Sequence, residues 1–344
     1  MRIGVLGPIW LPIPPSGYGG SEIVVYNLVE GLVDRGHSVT LFASGGSKTR
    51  AELRSVLDRP LLEIKGKFDF SDNSYDLLNA SNAFAASEEF DVLHNMLGYQ
   101  VLPFLPFAKC PVVHTSHSSI KEYDGLVMQF KDANYISISN AQRQLHPQLN
   151  YIDTVYHGID TKKYVPAADA TRDYFVFLSR IMPEKGVHLA IEAAKQSHQK
   201  LVIAGIVDER DKEYFATQIE PRIDDDQIRF VGSADEARKI ELFQQAKAMI
   251  FPTQWHEAFG LVLIEAMACG TPVIAWNKGA VPEVITSGET GFVVESTEEM
   301  AEAMKNIDAI SQERCRQEAE KRFSREAMAQ GYERVYQSLQ AAGR

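Results

Sequence analysis

Short apolar runs alternate with amphipathic segments through the first half of the chain. Residues 3–7 are apolar, residues 21–35 repeat apolar side chains at helical spacing, and residues 38–43 are apolar again. This pattern predicts strand, helix and strand, with Ser21 as the helix N-cap and Gly36 just beyond its end. Further apolar runs predict strands at residues 92–94, 112–114, 135–138 and 154–156. Strands that alternate with helices indicate a parallel sheet covered on both faces.

A second alternating series begins after the polar, proline-containing stretch at residues 165–169. Its predicted strands and helices follow the same order, and the chain ends in a predicted helix at residues 325–340. The strands are residues 174–178, 201–204, 228–231, 248–251 and 272–276, and the helices begin at Val187, Asp208, Ala234 and after Gly260. We therefore predict two domains of the same α/β class, residues 1–165 and 166–324.

The length and composition fit two globular domains. A chain of 344 residues is long for one core, and 45% hydrophobic with 24% charged residues is typical of globular proteins. The formal net charge of −11 argues against nucleic acid as the main partner, because a phosphate backbone requires a basic face. It does not exclude a small ligand that carries phosphate.

The sequence predicts a cytoplasmic enzyme. Residues 1–7 predict a strand rather than a secretion signal, and no apolar run approaches the ~20 residues that span a bilayer. Cys110, Cys269 and Cys315 are odd in number and widely separated, which favours free thiols over disulfides or a metal site. Peripheral attachment at the inner face of a membrane stays open.

Two carboxylates, Glu257 and Glu265, stand eight positions apart in the segment from residue 251 to residue 282. Apolar residues recur at helical spacing after Gly260, so Glu257 falls in the loop before a buried helix and Glu265 inside it. Free N–H groups at a helix start suit an anion, and carboxylates accept hydrogen bonds from vicinal hydroxyls. The pair indicates a nucleotide-sugar site. Taken alone, it would more often be a surface residue and a helix cap.

Arg180 and Lys185 are five positions apart on the predicted loop between the strand at 174–178 and the next helix. Both can face one diphosphate, Arg180 with a planar fork and Lys185 with a point charge, without a metal ion between them. The alternative is a pair of solvated surface charges.

A glycine-rich loop ends at Gly19 and Gly20, directly before the first predicted helix. Glycines there let backbone N–H groups approach a pyrophosphate. The spacing is not G-x-G-x-x-G, and no acidic residue follows the strand at 38–43, so a dinucleotide site is disfavoured. A plain turn is an equal alternative.

Two imidazoles, His114 and His117, follow an apolar strand, and each could be an ordinary loop residue. We expect no metal site. His256 beside Glu257 supplies only two candidate ligands, and the acidic run 224–226 lies in a polar loop where it is solvated.

These motifs resemble those of the retaining glycosyltransferases of family 4, and the resemblance covers nearly the whole chain. It implies the GT-B fold, in which two Rossmann-like, doubly wound parallel-sheet α/β domains face an interdomain cleft. It also implies that residues 1–165 form the acceptor side and residues 166–324 the donor side. The terminal segment 325–344 is expected to cross back onto the first domain.

The resemblance assigns the glutamate motif to the sugar parts of a nucleotide-sugar. It implies that Glu257 and the backbone at Phe259, Gly260 and Leu261 bind the donor sugar. Glu265 is expected to bind the ribose.

The remaining assignments concern the phosphates and the base. The resemblance implies that Arg180 and Lys185 stabilise the departing nucleoside diphosphate and that Gly19 and Gly20 face its phosphates. The backbone at Gly232 is expected to contact the base.

His117 occupies the position at which the family's histidine contacts the transferred sugar, whereas His114 is expected to pack beneath the site. Two positions depart from the pattern. Ser118 stands where a glycine is usual, and His157 stands where an asparagine is usual.

The function implied is a retaining, metal-independent hexosyltransferase without a cofactor. UDP-glucose is the expected donor, ahead of GDP-mannose and UDP-N-acetylglucosamine. The acceptor would be a sugar, a lipid or a natural product, bound chiefly by loops of the first domain, particularly residues 65–86. Two alternatives stay open: a GT-B epimerase that acts on a nucleotide-sugar, and a nucleotide-sugar-binding protein without chemistry.

Overall fold

Two units of parallel β-sheet make up the computed structural model, which describes residues 1–17, 19–68, 73–117 and 124–341. The first unit comprises Met1–Ile159 and the terminal helix from Arg325, and the second comprises Asp160–Ser324. The division thus falls a few residues before the predicted position of 165. Tyr164 and Val165 belong to the second unit because Arg316 and Gln244 donate hydrogen bonds to their carbonyl groups.

All strand pairings within the two sheets are parallel. The first sheet has the order β3-β2-β1-β4-β5-β6-β7, and the second has the order β10-β9-β8-β11-β12-β13. The strands are β1 Arg2–Leu6, β2 Ser38–Phe42, β3 Glu52–Arg54, β4 Val92–Asn95, β5 Val112–Thr115, β6 Asn134–Ser137, β7 Tyr151–Thr154, β8 Tyr174–Leu178, β9 Leu201–Ala204, β10 Ile228–Phe230, β11 Ala246–Phe251, β12 Val273–Trp276 and β13 Gly291–Val294.

Crossover connections, most of them helical, join successive strands within each sheet, as parallel pairing requires, although β2 and β3 are joined by a loop. The α-helices are α1 Gly20–Asp34, α2 Leu61–Lys65, α3 Ser74–Ala85, α4 Asp124–Gln129, α5 Asn140–Leu145, α6 Val187–Ser197, α7 Lys212–Tyr214, α8 Glu236–Gln244, α9 Leu261–Ala268, α10 Val281–Val284, α11 Thr297–Lys305, α12 Gln312–Phe323 and α13 Arg325–Ala341. Within the described residues, no helix is both long enough and apolar enough to cross a bilayer.

The direction of chain progress reverses once in each sheet. In the second sheet the chain runs from β8 outward to β9 and β10, and then returns to the other side of β8 with β11 and β12. The loops after β8 and β11 therefore leave neighbouring strands at the carboxyl edge, on opposite sides of a switch point. Ligands of open α/β sheets bind at such points. In the first sheet the corresponding strands are β1 and β4.

The terminal helix α13 is part of the first unit's core. It packs on α1, where Arg325 donates hydrogen bonds to Asn27 Oδ1 at 3.2 and 3.3 Å. Tyr332 and Tyr336 are fully buried, and the Tyr336 hydroxyl lies 2.7 Å from His94 Nδ1 on β4. A helix from the far end of the chain thus closes one face of the first sheet.

Two predictions about helices are wrong. The first helix begins at Gly20 with Gly19 as its N-cap, so Ser21 lies inside it and caps nothing. The segment from Asp208 is not one helix but a succession of short turns that includes α7. Pro221 lies in the last of these turns and supplies no N–H for a continued helix.

Some predictions concern positions outside the described residues. These are Ser118 after His117, Tyr18 in the glycine-rich loop, residues 69–72 within the expected acceptor segment, and residues 342–344 at the end of the terminal segment.

Candidate functional site

The loops that follow β8 and β11 are joined backbone to backbone at the switch point of the second sheet. Gln254 N donates to Glu184 O at 2.8 Å. Gly186 adopts a φ of +74°, and a Cβ there would lie 2.2 Å from Pro252 O. Only glycine permits this approach. The junction fixes the 3₁₀ turn Pro183–Lys185 against the start of the β11 loop.

Lys185 and Glu257 form an ion pair across this junction. Lys185 Nζ donates to Glu257 Oε2 at 2.7 Å, and each side chain is 19% exposed. The loop after β12 holds Glu257 from the other side, because Ala280 N donates to Glu257 O at 2.9 Å. Gly279 lies so close that a Cβ there would stand 2.1 Å from the same carbonyl oxygen. A cation and an anion are thus fixed at the sheet edge with both heads partly open to solvent.

Arg180 lies on the same loop as Lys185 but has different surroundings. It is half-buried, and no ion pair reaches it within the described part of the chain. The pKa of Asp208, in the loop after β9, is lowered chiefly by hydrogen bonds from Arg210 and to a smaller extent by the charge of Arg180. The two predicted cations therefore share a loop, and only Lys185 contacts the glutamate motif.

Glu265 lies on α9, inside the helix as predicted, and is buried. Its Oε1 accepts two hydrogen bonds, from Lys239 Nζ at 2.6 Å and from Tyr164 OH at 3.0 Å. Burial, followed by the charges of the nearby carboxylates, raises the pKa of Tyr164 well above its ordinary value, so this phenol remains a hydrogen-bond donor at neutral pH.

The sequence patterns did not single out Lys239 or Tyr164. A signal for Lys239 existed, because it precedes the buried Leu242 and Phe243 by three and four positions on α8. A charged side chain on the buried face of a helix usually has a buried partner. Tyr164 offered no comparable signal, since its partner Glu265 is 101 residues away.

The other donor-side residues lie along the same sheet edge or at the start of α9. Phe259 is buried and packs edge-on against Phe323, so its side chain belongs to the core. Gly260 is the N-cap of α9 and Leu261 is its half-buried first residue. Gly232, in the loop after β10, accepts a hydrogen bond at 2.8 Å from Gly205 N, in the loop after β9.

The glycine-rich loop of the first unit follows β1, one of the two strands at that sheet's switch point. Gly19 is buried and Gly20 is exposed at the first position of α1. Glu22, in the first turn of α1, is buried, and this burial raises the pKa of its carboxyl group. The sequence patterns did not identify Glu22, because acidic residues are common in exposed first turns of helices.

Histidines cluster at the carboxyl edge of the first sheet. His114 is buried as expected, and its Nδ1 lies 2.9 Å from Asn95 Nδ2. His117 is half-buried, and its Nδ1 lies 3.5 Å from Nε2 of the buried His157. Burial lowers the pKa of His114 to about 3 and that of His117 to about 4, so both rings are neutral at pH 7. No described residue forms a hydrogen bond with His117 Nε2.

In the part of the chain that the structure describes, the acidic and histidine side chains do not assemble into an evident metal site. Among the described residues, no group of three or more histidine, cysteine or acidic side chains could hold a metal ion. His256 is exposed and Glu257 pairs with Lys185. Asp224 Oδ1 instead accepts backbone N–H groups of residues 226–228, which closes the turn before β10.

A cavity of about 380 Å³ lies beside α3 in the first unit, and the segment expected to bind the acceptor forms part of its lining. Its lining includes Phe42, Arg54, Asn79, Asn82 and Glu89. Most of the described part of residues 65–86 is helical rather than a loop, which differs from the expectation. Arg54 already pairs with Glu52 and Glu89, at 2.8 and 2.7 Å.

Comparison with known proteins connects both units to glycosyl transfer. Residues 159–330 match the family model described as "Glycosyl transferases group 1", and residues 18–163 match the one described as "Glycosyltransferase Family 4". Phosphatidyl-myo-inositol mannosyltransferase from Mycolicibacterium smegmatis is 26% identical, over an alignment that covers 100% of this chain and 95% of the relative.

Solved structures share the fold at low sequence identity. Sucrose-phosphate synthase from Thermosynechococcus elongatus has a TM-score of 0.81 and 23% identity, and the match covers 99% of each chain. Anabaena Alr3699/HepE in complex with UDP and glucose has a TM-score of 0.75 and 21% identity, covering 98% of this chain and 100% of that one. The expected GT-B fold class, with two parallel-sheet α/β domains, is confirmed.

Proposed function

Since this chain belongs to the glycosyl transferases of group 1, we propose that it moves a hexosyl group from a nucleoside diphosphate sugar to an acceptor hydroxyl, with retention at the anomeric carbon. The observation that carries the proposal is the ion pair between Lys185 and Glu257 at the switch point of the second sheet, with Nζ and Oε2 2.7 Å apart.

The ion pair leaves each partner with capacity for a ligand. An ammonium group has three N–H donors, and Lys185 uses one of them on Glu257. The other two suit oxygens of a diphosphate. Glu257 accepts through Oε2, so its Oε1 is available for a sugar hydroxyl. Arg180, half-buried on the same loop, adds a planar fork for the phosphates.

The remaining donor contacts follow from residues near these two loops. Glu265 binds the ribose hydroxyls, and the backbone at Phe259, Gly260 and Leu261 binds the sugar at the start of α9, since helix starts present N–H groups to ligands. The backbone at Gly232 contacts the base. Gly19 and Gly20 of the first unit approach the phosphates.

In the chemical step, the bond between the anomeric carbon and the diphosphate oxygen breaks, and the electron pair leaves with the diphosphate. The acceptor oxygen forms its bond to the same face of the carbon, and its proton passes to the departing phosphate. Lys185 and Arg180 stabilise the charge that accumulates on the leaving group. Such preorganised stabilisation contributes about 3 kcal/mol for each donor. His117 is neutral at pH 7 and acts as a hydrogen-bonding partner of the transferred sugar rather than as an imidazolium acid.

UDP-glucose is the first donor that we propose, and HepE, which shares the fold, was solved with UDP and glucose. GDP-mannose is the second, because a relative whose alignment covers this whole chain is named a mannosyltransferase. UDP-N-acetylglucosamine is the third. That relative acts on phosphatidyl-myo-inositol, so a polyol headgroup belongs in the acceptor panel beside simple sugars.

A donor and acceptor panel tests the proposal. Purified protein is incubated with each donor, with and without acceptors, and release of nucleoside diphosphate and the anomeric configuration of the product are followed by NMR. We expect one donor to be consumed in the presence of acceptor, with its configuration retained. Epimerised sugar without acceptor would identify an epimerase instead. Donor binding without turnover across the panel would favour a binding protein.

A further inference from the structure

We propose that Lys239 and Tyr164 are positioning residues, which hold the Glu265 carboxylate so that its second oxygen binds a vicinal diol, the ribose 2′- and 3′-hydroxyls of the donor nucleotide. The inference rests on the proposed function and deepens it. It is carried by the contacts that surround Glu265 in the second unit.

Both hydrogen bonds to Glu265 end on the same carboxylate oxygen. Lys239 Nζ and Tyr164 OH reach Oε1 at 2.6 and 3.0 Å. No described residue donates to Oε2. The Glu265 side chain is 6% exposed, so its surroundings restrict the rotation of the carboxylate. Two donors on one oxygen therefore fix the direction in which the other oxygen points.

The contacts also make the buried charge tolerable. A carboxylate taken out of water loses several kcal/mol of solvation unless a cation and hydrogen bonds compensate. Lys239 supplies the cation and Tyr164 supplies a neutral donor. The Lys239 ammonium lies 5.3 Å from the centre of the Tyr164 ring. Lys239, Tyr164 and Glu265 therefore pack together as one group. Removing either donor would leave the Glu265 carboxylate less firmly oriented.

The position of Glu265 on α9 connects this group to the candidate site. Leu261 is the first residue of α9, and Glu265 follows it by four positions, so the two lie on one helix face. Leu261 is half-buried at the helix start, directly after Gly260. The carboxylate is thus one turn along the face that begins at the proposed sugar-binding backbone.

The chemistry of the fixed oxygen selects the ligand group. An ionised carboxylate accepts hydrogen bonds and repels phosphate, so it requires a neutral donor. Adjacent hydroxyls on a ribose meet that requirement, whereas in the proposed function Lys185 and Arg180 bind the diphosphate. The arrangement assigns ribose discrimination to Glu265 and the orientation of Glu265 to Lys239 and Tyr164.

Calorimetric binding of UDP and GDP, each beside its 2′-deoxy form, tests the inference. We expect the wild type to bind the ribonucleotide on the order of tenfold more tightly than the deoxynucleotide, because a hydrogen bond to a charged group is lost. Tyr164→Phe and Lys239→Met should reduce this ratio several-fold towards one. Lys239→Arg, which keeps the cation, should retain most of it.

Two controls separate positioning from general damage. Lys200→Met removes an exposed pair with Asp173 at the amino ends of β9 and β8 in the same unit, and should leave affinity and ratio unchanged. Lys185→Met should weaken both nucleotides equally and leave the ratio intact. If Lys239→Met does not fold, the affinity ratio of Tyr164→Phe still tests the inference, because this substitution removes one hydroxyl from an otherwise intact ring.

Unchanged ratios in Tyr164→Phe and Lys239→Met would overturn the inference. Equal binding of ribo- and deoxynucleotide by the wild type would also overturn it. If the wild type nevertheless transfers a sugar in the donor and acceptor panel, the proposed function would still hold. If neither UDP nor GDP binds the wild type, the inference and the proposed function both fail.

Discussion

Lys185 and Glu257 contact each other directly, so in the ligand-free chain each neutralises the charge of the other. In the proposed function, a donor diphosphate would therefore meet a lysine that is already oriented, and its sugar would meet a carboxylate that is already fixed. Preorganisation of this kind avoids reorientation during reaction. The ion pair is partly exposed, so we expect it to contribute little to stability, about 1 kcal/mol or less.

Replacing either partner should therefore lower turnover while leaving stability nearly unchanged. In Lys185→Met and Glu257→Gln we expect kcat to fall on the order of 100- to 1,000-fold, since each loses one interaction with the reacting donor. Arg180→Ala should also lose most turnover. Steady-state release of nucleoside diphosphate and thermal unfolding measure the two effects.

Lys200→Met is the matched control for Lys185→Met. It removes an exposed pair with Asp173, at 3.7 Å in the same unit but outside the candidate site. We expect unchanged turnover in this control. Full activity in Lys185→Met would remove that lysine from the assignment.

At the residue level, local motifs predicted Glu257, Glu265, Arg180 and Lys185 because each belongs to a short pattern tied to a strand end or a helix start. The structure adds which of them touch. Lys185 reaches Glu257 across 72 positions, and no periodicity in a single sequence encodes such a pairing. The contact between Tyr164 and Glu265, which are 101 positions apart, could not be predicted for the same reason.

At the level of elements, the site depends on two loops that meet without intervening side chains. Gly186 joins them, because its φ of +74° and its approach to Pro252 O exclude a Cβ. The glycine thereby determines where Lys185 stands relative to the β11 loop.

Gly186→Ala should shift this junction and misplace Lys185. We expect a loss of stability greater than the roughly 1–2 kcal/mol of left-handed strain, because the new methyl group also meets a carbonyl oxygen. Turnover should fall with it. Gly288→Ala is the control, since Gly288 has a φ of +84° with open space around it. Gly288→Ala should lose only the stability that left-handed strain costs and should keep its turnover. Equal losses of stability and turnover in both variants would contradict the assigned role of Gly186.

Strands were more predictable than the irregular connections between them. The patterns predicted residues 174–178 and 201–204, and the structure has β8 and β9 at those bounds. Continuous apolar runs of that kind are typical of buried parallel strands. The patterns missed β3, whose three residues include one apolar side chain, and β13, whose apolar run of Phe292, Val293 and Val294 is short.

At the level of the whole molecule, the terminal helix shows what a sequence pattern can and cannot supply. Apolar spacing predicted a helix at residues 325–340, and α13 is there. Its packing partner could not be predicted from spacing, since Arg325 contacts Asn27 across 298 positions. The resemblance to a family supplied that expectation instead.

The histidines of the first unit predict a destabilisation by acid. Burial lowers the pKa of His94, His114, His117 and His157 in the folded chain, whereas an unfolded histidine has a pKa of about 6.5. Below pH ~6.5 the unfolded state therefore binds protons that the folded state does not. The stabilisation is complete above that pH and is lost progressively as pH falls towards about 4.

Urea unfolding at pH 7.5 and pH 5.0 measures this effect. Trp10 fluorescence reports on the first unit in a background of Trp255→Phe and Trp276→Phe. We expect a lower free energy of unfolding at pH 5.0 and a smaller pH dependence in His114→Gln. His256→Gln, at an exposed position of the second unit, should not alter the dependence. Equal stability at both pH values would contradict the buried, neutral state of these rings.

Turnover should not require a divalent cation. Lys185 and Arg180 neutralise the leaving diphosphate in our proposal, so treatment with EDTA should leave kcat/KM within about twofold of the untreated value, a margin far below the effect of removing one stabilising group. Loss of activity that Mg²⁺ or Mn²⁺ restores would show that a metal supplies this charge instead.

A crystal structure with the nucleoside diphosphate that binds most tightly tests the central claim most directly. We predict diphosphate oxygens within hydrogen-bond distance of Lys185 Nζ and the Arg180 guanidinium, and ribose hydroxyls on Glu265 Oε2. A nucleotide bound elsewhere, with the Lys185–Glu257 pair untouched, would contradict the claim that this switch point is the donor site.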